Sequence, residues 1–104
     1  MLEFRDVHDR NFHLTEERQR HLETDHPEMR NQIVRIDDTL LNPDCIIQSR
    51  TDPKVEMFYK WYPVTPVTSK FLCVVVKLIP GNSFILTAYY TDTVKKGALL
   101  WEKP

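Results

Sequence analysis

Only two cysteines occur, Cys45 and Cys73, and no CxxC spacing is present. A zinc ribbon and a dithiol redox motif are therefore excluded. The two lie on separate predicted strands and read as reduced core thiols rather than a disulfide. No apolar run approaches the roughly 20 residues of a membrane helix. The opening residues, Met1 to Asp6, carry neither a basic flank nor an apolar signal region. The expectation is a cytoplasmic protein without a membrane partner. Repeats, low-complexity tracts and a linker are also missing, so residues 1–104 are expected to form a single domain. Walker, GxGxxG, HExxH, Ser-His-Asp and cysteine-nucleophile patterns are absent. An overall basic surplus is lacking too, since the net charge is −1. That charge is unevenly spread: residues 1–44 carry −5 and residues 45–104 carry +4. A local basic surface on the C-terminal half remains open.

What is present is a change of period near residue 45. Before it, an extended piece ends at Phe12-His13-Leu14. Thr15 is a plausible N-cap, and Glu16 and Glu17 suit the first turn of a helix running to about Asp25. Pro27 fits the first position of a second helix with the stripe Met29, Ile33, Ile36 and Leu40. Asn42-Pro43 ends it. After it come extended segments: Cys45–Arg50, Lys54–Tyr62, the nearly all-apolar Phe71–Ile79, and Phe84–Thr91. Pro80-Gly81-Asn82 is a sharp turn between the last two. Leu99-Leu100-Trp101 adds a short final strand. The expected fold is α+β, with two N-terminal helices packed on one face of a four-stranded antiparallel sheet.

The strand Phe84–Thr91 is the most telling. Strict alternation puts Phe84, Leu86, Ala88 and Tyr90 on a core face, and Ile85, Thr87, Tyr89 and Thr91 on the other. Thr87 and Tyr89 supply hydroxyls there, although both are also ordinary strand residues. The four histidines, His8, His13, His21 and His26, form two neighbouring pairs, each five residues apart. Five residues turn a helix through about 500°, so such a pair does not share a face and does not favour a metal. Acid–base work is the better fit. His26 precedes proline and reads either as a helix cap or as a neutral base at a helix start. His21 reads equally as a half-buried packing residue or a site residue, whereas His8 and His13 read as surface residues. Arg50 could hold a phosphate, or pair with Asp52. Lys77 either snorkels at a strand end or lines a site. Lys95 and Lys96 track a phosphate backbone or are plain turn lysines.

Taken in order, Leu14-Thr15-Glu16-Glu17-Arg18, His21-Leu22, His26-Pro27-Glu28-Met29, Leu40 to Asp44, Ser49 to Pro53, Val74 to Lys77, Phe84 to Tyr89 and Lys95-Lys96-Gly97 form a recognisable series. The chain resembles the phage-associated Barnase–EndoU–Colicin–RelE-like (BECR) nucleases over about residues 12 to 103. The resemblance implies helices followed by a four-stranded antiparallel sheet. It also implies metal-independent, cofactor-free RNA cleavage in toxin or mobile-element settings. The family's polar positions fall on His21 and His26, on Arg50, and on Thr87 and Tyr89. RelE-like ribonucleases are usually basic. The mild acidity here argues against tight non-specific RNA binding, but not against a guided or ribosome-assisted cut. The expected activity is an endoribonuclease using 2′-hydroxyl attack, with Lys77, Lys95 and Lys96 toward RNA. Its partners would be RNA and an antitoxin or immunity protein. The alternative is a non-catalytic module that docks an antitoxin or phage protein through its acidic half.

Overall fold

Alternating apolar residues in the second half build the centre of the molecule. In the computed structural model, which describes residues 1–104, the chain forms β1 (Leu2–Arg5), β2 (Asn11–Leu14), α1 (Glu16–Asp25) and a 3-10 turn (Pro27–Met29). Then come α2 (Ile33–Leu41), β3 (Cys45–Gln48), β4 (Val55–Tyr62), β5 (Lys70–Lys77), β6 (Phe84–Thr91) and β7 (Ala98–Glu102). Thr15 caps α1 as its sequence suggests, its hydroxyl accepting from the Arg18 amide. The expected second helix is split. After Met29 the chain passes through Asn31 in the left-handed region (φ 61°), and α2 starts only at Ile33. Asparagine is among the few residues that tolerate such a φ.

The expected four-stranded antiparallel sheet is not what forms. The sheet has seven strands in the order β1-β2-β6-β5-β4-β3-β7, and β2 runs parallel to β6. The physical reason is that both outer strands of the expected sheet, β6 and β3, present unpaired backbone. The β1–β2 hairpin covers the start of β6, and β7 pairs along β3. The helices do not share one face equally. α2 lies across β4 and β5, whereas α1 and the 3-10 turn lie along β6. There β2 gives β6 only the His13–Phe84 pairing. No helix is long and apolar enough to cross a membrane.

Two apolar clusters hold the sheet. The larger joins Phe12, Leu22, Met29, Ile36 and Leu40 to Phe58, Leu72, Val74, Val76, Ile85 and Ala88. The smaller, on the opposite face, is Ile47, Met57, Tyr59 and Cys73, with Tyr89 and Val94 against it. The β1–β2 turn is tied down by charge. Asp6 is 3 % exposed and Glu56 7 % exposed. Arg10 bonds both carboxylates at 2.8 Å, and Asp6 also accepts the Arg10 and His8 amides. A buried carboxylate is tolerable only with such partners.

Candidate functional site

The strand β6 departs from strict alternation. Val76 faces Ile85, yet Val75 faces Thr87, so Leu86 is an extra residue. Such a bulge reverses the side-chain parity before it. Ile85 is fully buried in the helix-side core with Ala88, which corrects the expected face for Phe84–Leu86. Thr87 and Tyr89 keep the opposite face, as expected. Arg18 from α1 donates to the Leu86 carbonyl at 3.4 Å, at the bulge.

Tyr89 sits beside Cys73, its cross-strand partner, and that row continues to Tyr59. Burial, then the neighbouring Cys73 thiol, pushes the Tyr89 phenol above its ordinary pKa, so the hydroxyl keeps its proton at neutral pH. Burial also pushes the Cys73 thiol up to about 11, against the opposing pull of hydrogen bonds from Tyr59 and Tyr89 and of the Lys95 charge. A protonated, buried thiol is a poor nucleophile. The face is strapped by the segment 92–97 that joins β6 to β7. Its Lys95 amide donates to the Tyr59 hydroxyl at 3.1 Å, and Val94 packs on the small cluster.

His26 reaches this face from the end of α1. Its amide closes the helix on the Leu22 carbonyl, and its backbone (φ −132°, ψ 79°) turns into the 3-10 segment. The imidazole lies on the Tyr89 ring with centroids 5.4 Å apart and planes tilted by 31°. Its Nδ1 is 3.5 Å from Glu28 Oε1, and 35 % of the side chain is exposed. Were the carboxylate to accept from Nδ1–H, Nε2 would be left to accept a proton. The structure therefore brings His26 against Tyr89, on the face that also carries Thr87 and, over Tyr59, the strap that bears Lys95 and Lys96. Both lysines are exposed.

The other expected site residues stand elsewhere. His21 is on the outer side of α1, 70 % exposed and 4.0 Å from Glu17. Arg50 is exposed in the β3–β4 turn, beyond the Gln48 end of β3. Tyr89 is level with Cys73, Tyr59 and Cys45, at the other end of that strand. Lys77 is engaged: it pairs with Asp52, fixing the same turn to the end of β5. That hydrogen bond, with one from the Lys54 amide, holds the Asp52 carboxyl below its usual pKa.

Two features escaped the sequence reading. Glu28 beside His26 lay inside the His26-Pro27-Glu28 series, and its i+2 spacing across a 3-10 entry was the available signal. The second feature is a groove on the side of β2, the 80–83 turn and α1. Its largest cavity, of about 340 Å³, is bordered by Arg10, Asn11, His13 and Asn82. Arg18 there had a legible signal, since Arg18, Leu22 and His26 are spaced four and four, one helix face. No family model, curated protein or solved structure matches the chain.

Proposed function

We propose that the protein is a small, metal-independent endoribonuclease of the toxin or mobile-element kind, related to the BECR nucleases, with His26 as its base. The single observation that carries this reading is the His26 imidazole set against the Tyr89 ring, with its Nδ1 on the side of Glu28. In this scheme His26 Nε2 takes the proton of a ribose 2′-hydroxyl. The freed oxygen attacks the adjacent phosphorus, the bond to the 5′ oxygen breaks, and a 2′,3′-cyclic phosphate forms. The departing oxygen takes a proton from water while the Tyr89 hydroxyl donates a hydrogen bond to it. Thr87 orients a phosphate oxygen, and Lys95 offsets the charge that builds on the phosphorane. Arg50 has no part in this arrangement, being in a distant turn.

The test is incubation of the purified protein with RNA in chelator, with and without ribosomes. Wild type should cut, leaving cyclic phosphate ends. His26→Ala should lower the rate by about 10²–10⁴-fold, as loss of a general base does. Tyr89→Phe should lower it by a smaller factor with the fold intact. Intact RNA under every condition, together with harmless expression in cells, would instead favour the docking-module reading.

A further inference from the structure

Four shallow cavities lie in series along one side of the molecule, and neighbours share residues. The first, about 340 Å³, shares His13 and Asn82 with a second of about 210 Å³. The second shares Thr15 and Arg18 with a third of about 170 Å³. The third shares His21 with a fourth of about 330 Å³, bordered by Arg20, Thr24 and Asp25. Together they form a string of openings from the 80–83 turn along α1. It stops at Asp25, the last residue of the helix that His26 ends.

The lining is wrong for a small apolar ligand. Leu78 and Phe84 are its only large apolar side chains, whereas such pockets are mostly apolar. It suits an extended anion instead. Arg18 and Arg20 form no ion pair with a carboxylate, unlike Arg10, whose charge is taken up by Asp6 and Glu56. Glu17 and Asp25 stand on the outer wall near His21, so the cationic stretch is the inner one, from Arg18 toward His13. At its centre the Arg18 guanidinium lies 4.8 Å over the Phe84 ring, and the His13 ring is 6.0 Å from the same ring. A planar guanidinium stacked over an aromatic ring, with an imidazole beside them, offers its outer face as a platform for an unpaired base. A duplex keeps its base faces inside its own stack, so only a single strand can use such a platform.

We infer that this groove is a track for single-stranded RNA, stacking its bases at Phe84 and feeding the strand along α1 to His26. The inference deepens the endoribonuclease reading and rests on it. Arg18 and His26 are eight residues apart on the helix, about 12 Å along its axis. A few nucleotides bridge that span. The track also accounts for a mildly acidic protein handling RNA: Arg18 and Arg20 are free of carboxylate partners and border successive cavities.

The experiment uses the full chain carrying His26→Ala, so that bound RNA is not cut. Anisotropy of a fluorescein-labelled single-stranded oligoribonucleotide is followed against salt. Arg18→Ala combined with Arg20→Ala should weaken binding at least about tenfold and reduce the salt slope by about 1–2. Arg20→Glu alone, on an exposed helix position, should weaken it too while leaving the melting temperature unchanged. Duplex RNA and polyglutamate should compete poorly. Wild-type affinity in both arginine variants overturns the track, as does equal competition by polyglutamate. With His26 restored, the arginine variants should show a raised KM on long RNA. Groove variants that bind and cut long RNA normally would sink the track and leave the nuclease standing. Groove-dependent binding with no cutting by any variant would sink the nuclease and leave an RNA-binding groove.

Discussion

The Tyr62 hydroxyl donates to Asp38 Oδ2 at 2.6 Å while the Arg35 guanidinium lies 4.5 Å over its ring. Lys60 and Asn42 complete the set around Asp38. Burial works against the carboxylate, but the bonds from Tyr62 and Asn42 and the Lys60 charge outweigh it, so the Asp38 pKa is lowered. A depressed carboxyl pKa contributes stability that is fully present above the unfolded value of about 4 and is lost as pH falls through the folded value. Tyr62→Phe should therefore destabilise the protein by about 1 kcal/mol at neutral pH, a modest figure because Asp38 is partly solvated. The difference should shrink once acid protonates Asp38. Urea titrations of both proteins at neutral and acid pH measure it, and a constant difference would refute the assignment. Residue by residue, the sequence was legible where chemistry is local. Thr15 as a cap and His26 at a helix junction follow from hydrogen-bonding capacity and the proline that follows. The partner of His26 and the distance of Arg50 from it depend on where strands stop, and no single residue type announces that.

Gly97 illustrates the next scale. A Cβ there would lie 2.7 Å from Ile47 Cγ2 and closer still to the Gln48 carbonyl oxygen. The strap thus comes down on β3 where only hydrogen fits. Gly97→Ala should cost about 1–3 kcal/mol, the usual penalty of forcing atoms into packed space. Thermal melts would show it, and an unchanged melting temperature would mean the strap is not seated on β3. β6 shows what an element hides. Its bounds, Phe84 to Thr91, were readable from β-branched and aromatic residues between a turn and a polar loop. Its bulge was not, because Leu86 is as good a strand residue as its neighbours. The displacement is set by Arg18 bonding the Leu86 carbonyl and by burial of Ile85. α2 was legible from its apolar stripe, whereas the break before it depends on the Asn31 backbone.

For the molecule as a whole, the N-terminal hairpin is structural. Phe4, Phe12 and Leu14 are buried in the main core, and Arg10 is the partner of buried Glu56. Removing residues 1–14 would strip that core, uncover the start of β6 and leave Glu56 without its cation. The truncated chain should show no cooperative unfolding in calorimetry. A melting transition close to that of the intact chain would contradict this. β1 was missed because Leu-Glu-Phe-Arg is too short for alternation to distinguish it from a turn. The parallel pairing of β2 with β6 escaped for a different reason: it joins segments some seventy residues apart, and nothing local specifies it. The halves of opposite charge, plain in the composition, do meet: Lys60 pairs with Asp38, and Lys103 with Asp44.

The strap between β6 and β7 carries one more consequence. The successive antiparallel pairings from β6 to β7 leave those two strands pointing the same way. Ala98 lies in the row of Ile85, far back along β6 from Thr91. On a flat sheet that crossing, four strand spacings by five rungs, would measure about 25 Å, and the seven steps from Thr91 to Ala98 reach about 24 Å. The coiling of the sheet brings the ends within reach, and the connection has little slack. Natural variation in length should be one-sided here: the segment can gain residues as an outward loop, but losing even one would pull β7 off β3 or uncoil the sheet beneath Tyr89.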